Sequence, residues 1–117
     1  MARTSADRRG RGAERLAVLL LRLRGFRILE RRLSTPCGEI DIVARRGDLL
    51  VFVEVKRRAT TAEALAALGE RQRARIVRAA EAWRQGRPEL RALACRFDLV
   101  AIGRWCRPIH LADAWRA

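Results

Sequence analysis

The chain has 117 residues, enough for one hydrophobic core and too few for two, and since half of them are hydrophobic a folded protein is expected rather than a disordered one. Against 13 acids stand 26 basic residues, a net charge of +13 that calls for a polyanionic partner; nucleic acid is the commonest, with an anionic membrane surface or plain solubility as alternatives. Three cysteines, Cys37, Cys95 and Cys106, form an odd set without a Cys-x-x-Cys pair, which argues against a disulfide framework and for free thiols in a reducing compartment.

Residues 1–11 are basic and polar and read as a disordered N-terminal arm, leaving a single domain over residues 12–117. Ala13 to Leu23 reads as a largely buried helix, with Gly25 suited to the position just past its end. The apolar run Leu16 to Leu21 is short and closed by Arg22 and Arg24, so it fits neither a signal peptide nor a membrane span, and a cytoplasmic protein with no membrane association is expected. Phe26 to Leu33 is a first strand, and Pro36 and Gly38 make the next residues a turn. Glu39 to Arg46 and Leu49 to Arg57 are two further strands, separated by Gly47-Asp48, a hairpin signal with Gly in the positive φ of a type II′ turn. In that register Arg46 pairs with Leu49, so Asp41 faces Glu54, Glu39 faces Lys56, and all four side chains share one face. The second of these strands is apolar on both faces, as a central strand should be. Ala62 to about Gln85 is helical, divided near Gly69; Ile76, Val77, Ala80 and Trp83 recur at helical spacing, and Arg71, Arg73, Arg75 and Arg78 form a basic flank, either a nucleic-acid contact or a solvated face. Gly86 and Pro88 end it. Cys95 to Ile102 is another strand and Pro108 to Leu111 a short last one. Cys95, Cys106 and His110 match none of the usual zinc spacings, and a fourth ligand is not evident.

Of the 26 cations, Lys56 is the only lysine. Lysine is a compact ammonium where arginine is a broad planar fork, so a lone lysine in an arginine-biased chain marks a place where arginine cannot substitute. With Glu54 two residues before it and Asp41 on the preceding strand, it completes the pattern Asp…Glu-x-Lys of a metal-dependent nuclease. Two carboxylates facing each other across neighbouring strands lie ~5 Å apart and repel. A divalent ion such as Mg²⁺ relieves that repulsion, keeps several waters, polarises a phosphate and acidifies a water for in-line attack. Lys56 would orient that water or stabilise charge developing on phosphorus, and Glu14 is the candidate fourth member if the first helix packs over this face. Taken singly, each residue has an ordinary explanation: Glu-x-Lys as charge alternation, Glu14 as an acid in a first helical turn, Asp41 as an edge-strand charge. Their conjunction among Ile40, Ile42, Val53 and Val55 favours a site.

The segments Gly38-Glu39-Ile40-Asp41-Ile42-Val43-Ala44-Arg45 and Leu50-Val51-Phe52-Val53-Glu54-Val55-Lys56, with Arg96-Phe97-Asp98-Leu99-Val100 and Gly12-Ala13-Glu14-Arg15-Leu16-Ala17, resemble the YraN family of bacterial proteins, of the restriction-endonuclease-like PD-(D/E)xK superfamily. The resemblance implies an α/β fold, a mixed sheet flanked by helices in the order α-β-β-β-α-β, similar to archaeal Holliday junction resolvases. It implies a catalytic set of Glu14, Asp41, Glu54 and Lys56, with Asp41 and Glu54 holding one or two Mg²⁺ or Mn²⁺ ions. Arg57, Arg71, Gln72 and Arg75 are the expected nucleic-acid contacts. The chain departs from the family pattern at Ala13, usually Gly, in 59–69, which lacks a Phe-Gly and a Pro, and at Arg71-Gln72, usually Lys-Gln. The expected function is Mg²⁺-dependent endonuclease action on DNA, with branched or structured DNA as the implied substrate and a homodimer required for cutting two strands. The alternatives are a nucleic-acid-binding protein on a nuclease-like fold that does not cleave, and a small basic adaptor for another protein or a membrane surface.

Overall fold

A computed structural model describes residues 5–117, with side chains from residue 11 onward. The elements run α1 (Ser5–Leu23), β1 (Arg27–Thr35), β2 (Gly38–Arg46), β3 (Leu49–Arg57), α2 (Thr61–Ala67), α3 (Glu70–Gln85), β4 (Ala94–Ile102) and β5 (Pro108–Trp115), with single 3₁₀ turns at Pro88–Leu90 and Arg104–Cys106. The strands form one mixed sheet in the order β1-β2-β3-β4-β5, in which only β3 and β4 run parallel. A parallel neighbour demands a crossover, and α2 and α3 supply it. This is the expected α-β-β-β-α-β order, with α2 added before α3 and β5 at the far edge.

Two apolar layers hold the sheet between its helices. Ala13, Ala17, Val18 and Leu21 of α1 pack on Ile42, Ala44, Val51, Val53, Val100 and Ile102. On the other face, Ile76, Ala79, Ala80 and Trp83 of α3 pack on Val43, Leu50, Phe52, Phe97 and Leu99. β3 therefore alternates between two buried layers, Leu50 and Phe52 towards α3, Val51 and Val53 towards α1, which is why its first five residues are all apolar.

Local chemistry sets the boundaries. α1 ends in a Schellman motif: Gly25, at φ 88, donates its N–H to Arg22 O, and Phe26 donates to Leu21 O, both at 3.0 Å. Only glycine enters that conformation without strain. Thr60 caps α2, its hydroxyl accepting the Glu63 N–H at 3.1 Å. The β2–β3 hairpin has the expected turn, with Gly47 at φ 59, and the expected register, Arg46 opposite Leu49.

Two expected boundaries need correction. α1 begins at Ser5, so 5–11, expected within a disordered arm, are helical; arginine and alanine favour helix even without an apolar stripe. The remainder of that arm, Met1 to Thr4, lies outside the described residues. β5 continues to Trp115 rather than ending at Leu111, because Trp115 pairs with Phe97 and stacks on its ring at 5.5 Å between centroids.

Candidate active site at the fork of β2 and β3

The β2–β3 ladder reaches Ile42↔Val53 and goes no further. At the next position the Asp41 side chain takes over: its Oδ2 accepts the Val55 N–H at 2.8 Å. The strands thus part with Asp41 and Glu54 in the crotch, close enough for each carboxyl to shift the other. β2 also changes face here. Ile40 packs in the α3 layer and Ile42 in the α1 layer, although residues two apart on a regular strand share a face. Glu39 is consequently exposed, paired with Ser34 of β1, and the β2–β3 ladder ends before it could face Lys56; the expected four-residue face is replaced by Asp41, Glu54 and Lys56.

Glu54 is buried, with Lys56 Nζ 3.8 Å from its Oε1. Gln72, from the first turns of α3, donates its Nε2 to the same oxygen at 3.4 Å. Burial, and then the Asp41 charge, push the Glu54 carboxyl up to about 8, with Lys56 opposing them. Asp41 is raised as well, first by burial and further by the Glu14 charge, while the Val55 N–H and Lys56 act the other way. At neutral pH this pair holds a proton that ordinary carboxyls would have released.

Glu14 is buried in α1, close enough to act electrostatically on Asp41, but its carboxylate is occupied. Arg31 Nε donates to Oε1 at 3.0 Å and Arg32 Nε to Oε2 at 2.7 Å. Adjacent residues of a strand should point to opposite faces; Arg32, at φ 53, breaks the alternation so that both arginines reach Glu14. Two consecutive arginines in a strand are the one sign of this clamp legible in the sequence. Of the four expected nucleic-acid contacts, Gln72 touches the acid pair, Arg57 and Arg71 are exposed, and Arg75 lies against Gly38 at the start of β2.

A third buried acid was not anticipated. Asp98 of β4 accepts two bonds from Arg96 (2.8 and 2.9 Å), one from the Asp113 N–H (2.9 Å) and shares 2.7 Å with His110 Nε2. His110 Nδ1 lies 2.8 Å from Arg24. An Arg donor can only be met by an unprotonated Nδ1, so the ring proton sits on Nε2 and is donated to Asp98. Burial raises Asp98, but His110, Arg96 and the Asp113 amide together bring it down to about 2.

Among the described residues no group of three or more His, Cys, Asp or Glu is arranged to hold a metal ion. The Asp41–Glu54 pair still fits a Mg²⁺ ion, which takes hard oxygen donors, uses one or two carboxylates and keeps the rest of its shell as water.

Fold and cluster define a mixed α/β protein with a buried acid, a half-buried acid and a lysine where two strands part. The chain belongs to the uncharacterised protein family UPF0102, whose profile matches residues 13–102; this is the YraN family that the sequence resembles. It is 54% identical over 116 residues to a UPF0102 protein of Maricaulis maris, covering 97% of this chain and 90% of that one. Identity to the UPF0102 protein of Paramagnetospirillum magneticum is 50% over 119 residues, 98% of this chain and 92% of the relative. Among solved structures, a repair endonuclease from Pyrococcus abyssi aligns with a TM-score of 0.46 and 19% identity, over 88% of this chain and 39% of the enzyme's own.

Proposed function

We propose that the protein is a Mg²⁺-dependent endonuclease acting on DNA, with branched or structured DNA as substrate. The observation that carries this reading is the Asp41–Glu54 pair in the fork, Glu54 buried and Asp41 half-buried, with Lys56 Nζ 3.8 Å from Glu54 Oε1. Asp41 and Glu54 would hold the ion, whose chemistry is to polarise the scissile phosphate and acidify a water. Asp41 is fixed for that task by the Val55 amide, which holds one carboxylate oxygen and leaves the other to face the fork. Lys56 places a compact ammonium beside the reacting phosphate, where charge develops. Gln72 orients Glu54 from α3, and Arg57, Arg71 and Arg75 supply backbone-phosphate contacts. A homodimer, for cutting two strands, and a cytoplasmic location belong to the same proposal. No helix among the described residues is long and apolar enough to cross a membrane.

A second reading, nucleic-acid binding without cleavage, is favoured by one observation: Glu14 is engaged by Arg31 and Arg32 instead of joining the acid pair. Incubation with linear, single-stranded and four-way-junction DNA, with Mg²⁺ or Mn²⁺, separates the two. Metal-dependent products that vanish in Asp41→Asn are expected. Tight binding without products under any of these conditions would leave the second reading in place.

A further inference from the structure

Trp105 is 98% exposed. A tryptophan left in water forgoes the burial of the largest side-chain surface available, and the two other tryptophans, Trp83 and Trp115, are both buried. It also sits at φ 59, ψ 29, followed by Cys106 at φ 56, so two consecutive non-glycine residues occupy the left-handed region. Such conformations persist only where surrounding structure imposes them. Here the loop is pinned at its base: Gly103 N–H donates to Arg107 O at 2.8 Å and Arg107 N–H to Arg104 O at 3.2 Å. Gly103 is needed for a second reason. A Cβ there would lie 3.3 Å from Ala59 O, so its absence lets the loop close against the segment that follows β3.

That segment carries the basic residues Arg57 and Arg58, and the loop adds Arg104 and Arg107, all exposed. The parallel register fixes the location. Glu54 lies opposite Leu99, Lys56 opposite Ala101 and Arg57 opposite Ile102, the residue before Gly103. Trp105 is four residues past Ala101, so its backbone lies within about 20 Å of Lys56.

We infer that the Gly103–Arg107 loop is a stacking platform for an unpaired nucleobase, with Trp105 against the base and Arg57, Arg58, Arg104 and Arg107 on the flanking phosphates. An exposed aromatic on a loop that also carries exposed arginines suits a ligand that offers a π-face between negative charges, which is the chemistry of single-stranded nucleic acid. Charge complementarity and the shared sheet end favour that occupant over a lipid surface or a protein. The inference rests on the nucleic-acid reading above and deepens it: the substrate carries unpaired bases beside the fork of β2 and β3.

The test uses the full chain without divalent metal, so that cleavage does not enter. Anisotropy with labelled forked DNA bearing single-stranded arms, and with a blunt duplex, is measured for the parent, Trp105→Ala and Trp105→Phe, alongside tryptophan emission. Trp105→Ala should bind the fork about tenfold more weakly, Trp105→Phe should recover most of that loss, and the blunt duplex should be bound equally by all three. Single-stranded DNA should quench emission in the parent and not in Trp105→Ala. Equal binding of the fork by parent and Trp105→Ala would overturn the inference, as would equal losses on fork and blunt duplex. Emission that responds to anionic phosphatidylserine vesicles and not to DNA would assign the loop to a membrane surface. Normal stacking in a protein that never cleaves would leave this inference standing and remove the nuclease reading; cleavage untouched by Trp105→Ala with no stacking would do the reverse.

Discussion

Asp98 on β4 and the Asp41–Glu54 pair on β2 and β3 are acids withdrawn from water on neighbouring strands of one sheet, and they are treated oppositely. Every oxygen of Asp98 is met by the protein itself, through Arg96, His110 and the Asp113 amide, and its carboxyl is held at about 2. Asp41 and Glu54 receive one amide, one distant amide side chain and one ammonium at 3.8 Å, and Glu54 rises to about 8. Arginine is abundant in this chain, and β1 spends two of them on Glu14 alone. A sheet that neutralises one buried acid completely, yet leaves a neighbouring pair short of positive charge, is what the proposed cation site requires. On that proposal Asp98 ties β4 to β5, and the fork carries the chemistry.

Mutation should break the comparison most visibly. Asp98→Ala strips three partners from a buried charge network and is expected to cost about 3–5 kcal/mol of stability, read as a shift of the urea midpoint. Asp41→Asn should leave stability unchanged or raised, because it removes one of two repelling carboxyls, yet reduce cleavage by ~10²–10³ or more. Lys56→Arg should act like Asp41→Asn on cleavage while keeping DNA affinity, since the guanidinium preserves the charge but not its compact placement. If Lys56→Arg cleaves at the parental rate, the lone lysine is an accident of composition and the non-catalytic reading gains.

The pH dependence of stability should have two windows of opposite sign. Glu54 is raised from 4.5 to about 8 in the folded state, so its folded form holds a proton that the unfolded chain has lost. The stability it contributes is complete below about 4.5 and is lost as pH rises through about 8, a fall on the order of 5 kcal/mol. Asp98 is lowered from 3.8 to about 2. Its contribution, about 2 kcal/mol, is complete above 3.8 and is lost as pH falls through about 2. Denaturation curves across this range should show Glu54→Gln removing the alkaline slope and leaving the acid one intact. A parent whose stability is flat between pH 5 and 8 would show that the fork is already compensated, and the contrast with Asp98 would fail.

The parts of this arrangement that were legible in the sequence are those fixed by local chemistry. Gly47-Asp48 sets a two-residue turn, and a two-residue turn sets the register that brings Asp41 to Glu54. Gly25 marks a helix end that its hydrogen bonds display. The Ile76, Ala80 and Trp83 spacing gives the buried face of α3. What stayed hidden depends on non-local geometry or on broken alternation. Asp98 meets His110 and Asp113 only because β5 pairs with β4 and shifts register between Phe97 and Leu99, with Asp113 at φ 54 turning its N–H inward. The Glu14 clamp needs the positive φ of Arg32, which no pattern rule assigns to arginine. The exchange of faces between Ile40 and Ile42, which separates Glu39 from Lys56, is a departure from period two that the sequence reading assumed throughout.

Metal linkage gives the smallest effect and sharpens the comparison most directly. An ion bound by the folded chain alone adds stability of RT ln(1 + [L]/Kd), about 1.4 kcal/mol at tenfold excess over Kd. Mg²⁺ should therefore raise the urea midpoint of the parent and of Lys56→Arg, and not that of Asp41→Asn. Because Asp41 and Glu54 hold a proton near neutrality, the ion must displace it, and calorimetry in buffers of different ionisation enthalpy should register proton release on binding. That release should shrink above about pH 8, where the Glu54 proton is already gone. Asp98 provides the internal control, since a carboxylate already saturated by Arg96 and His110 has no oxygen left for an ion, and Mg²⁺ should stabilise Asp98→Asn as much as the parent. Stabilisation that survives in Asp41→Asn would move the cation away from the fork, and with it the reason for leaving those two acids with a single ammonium at 3.8 Å.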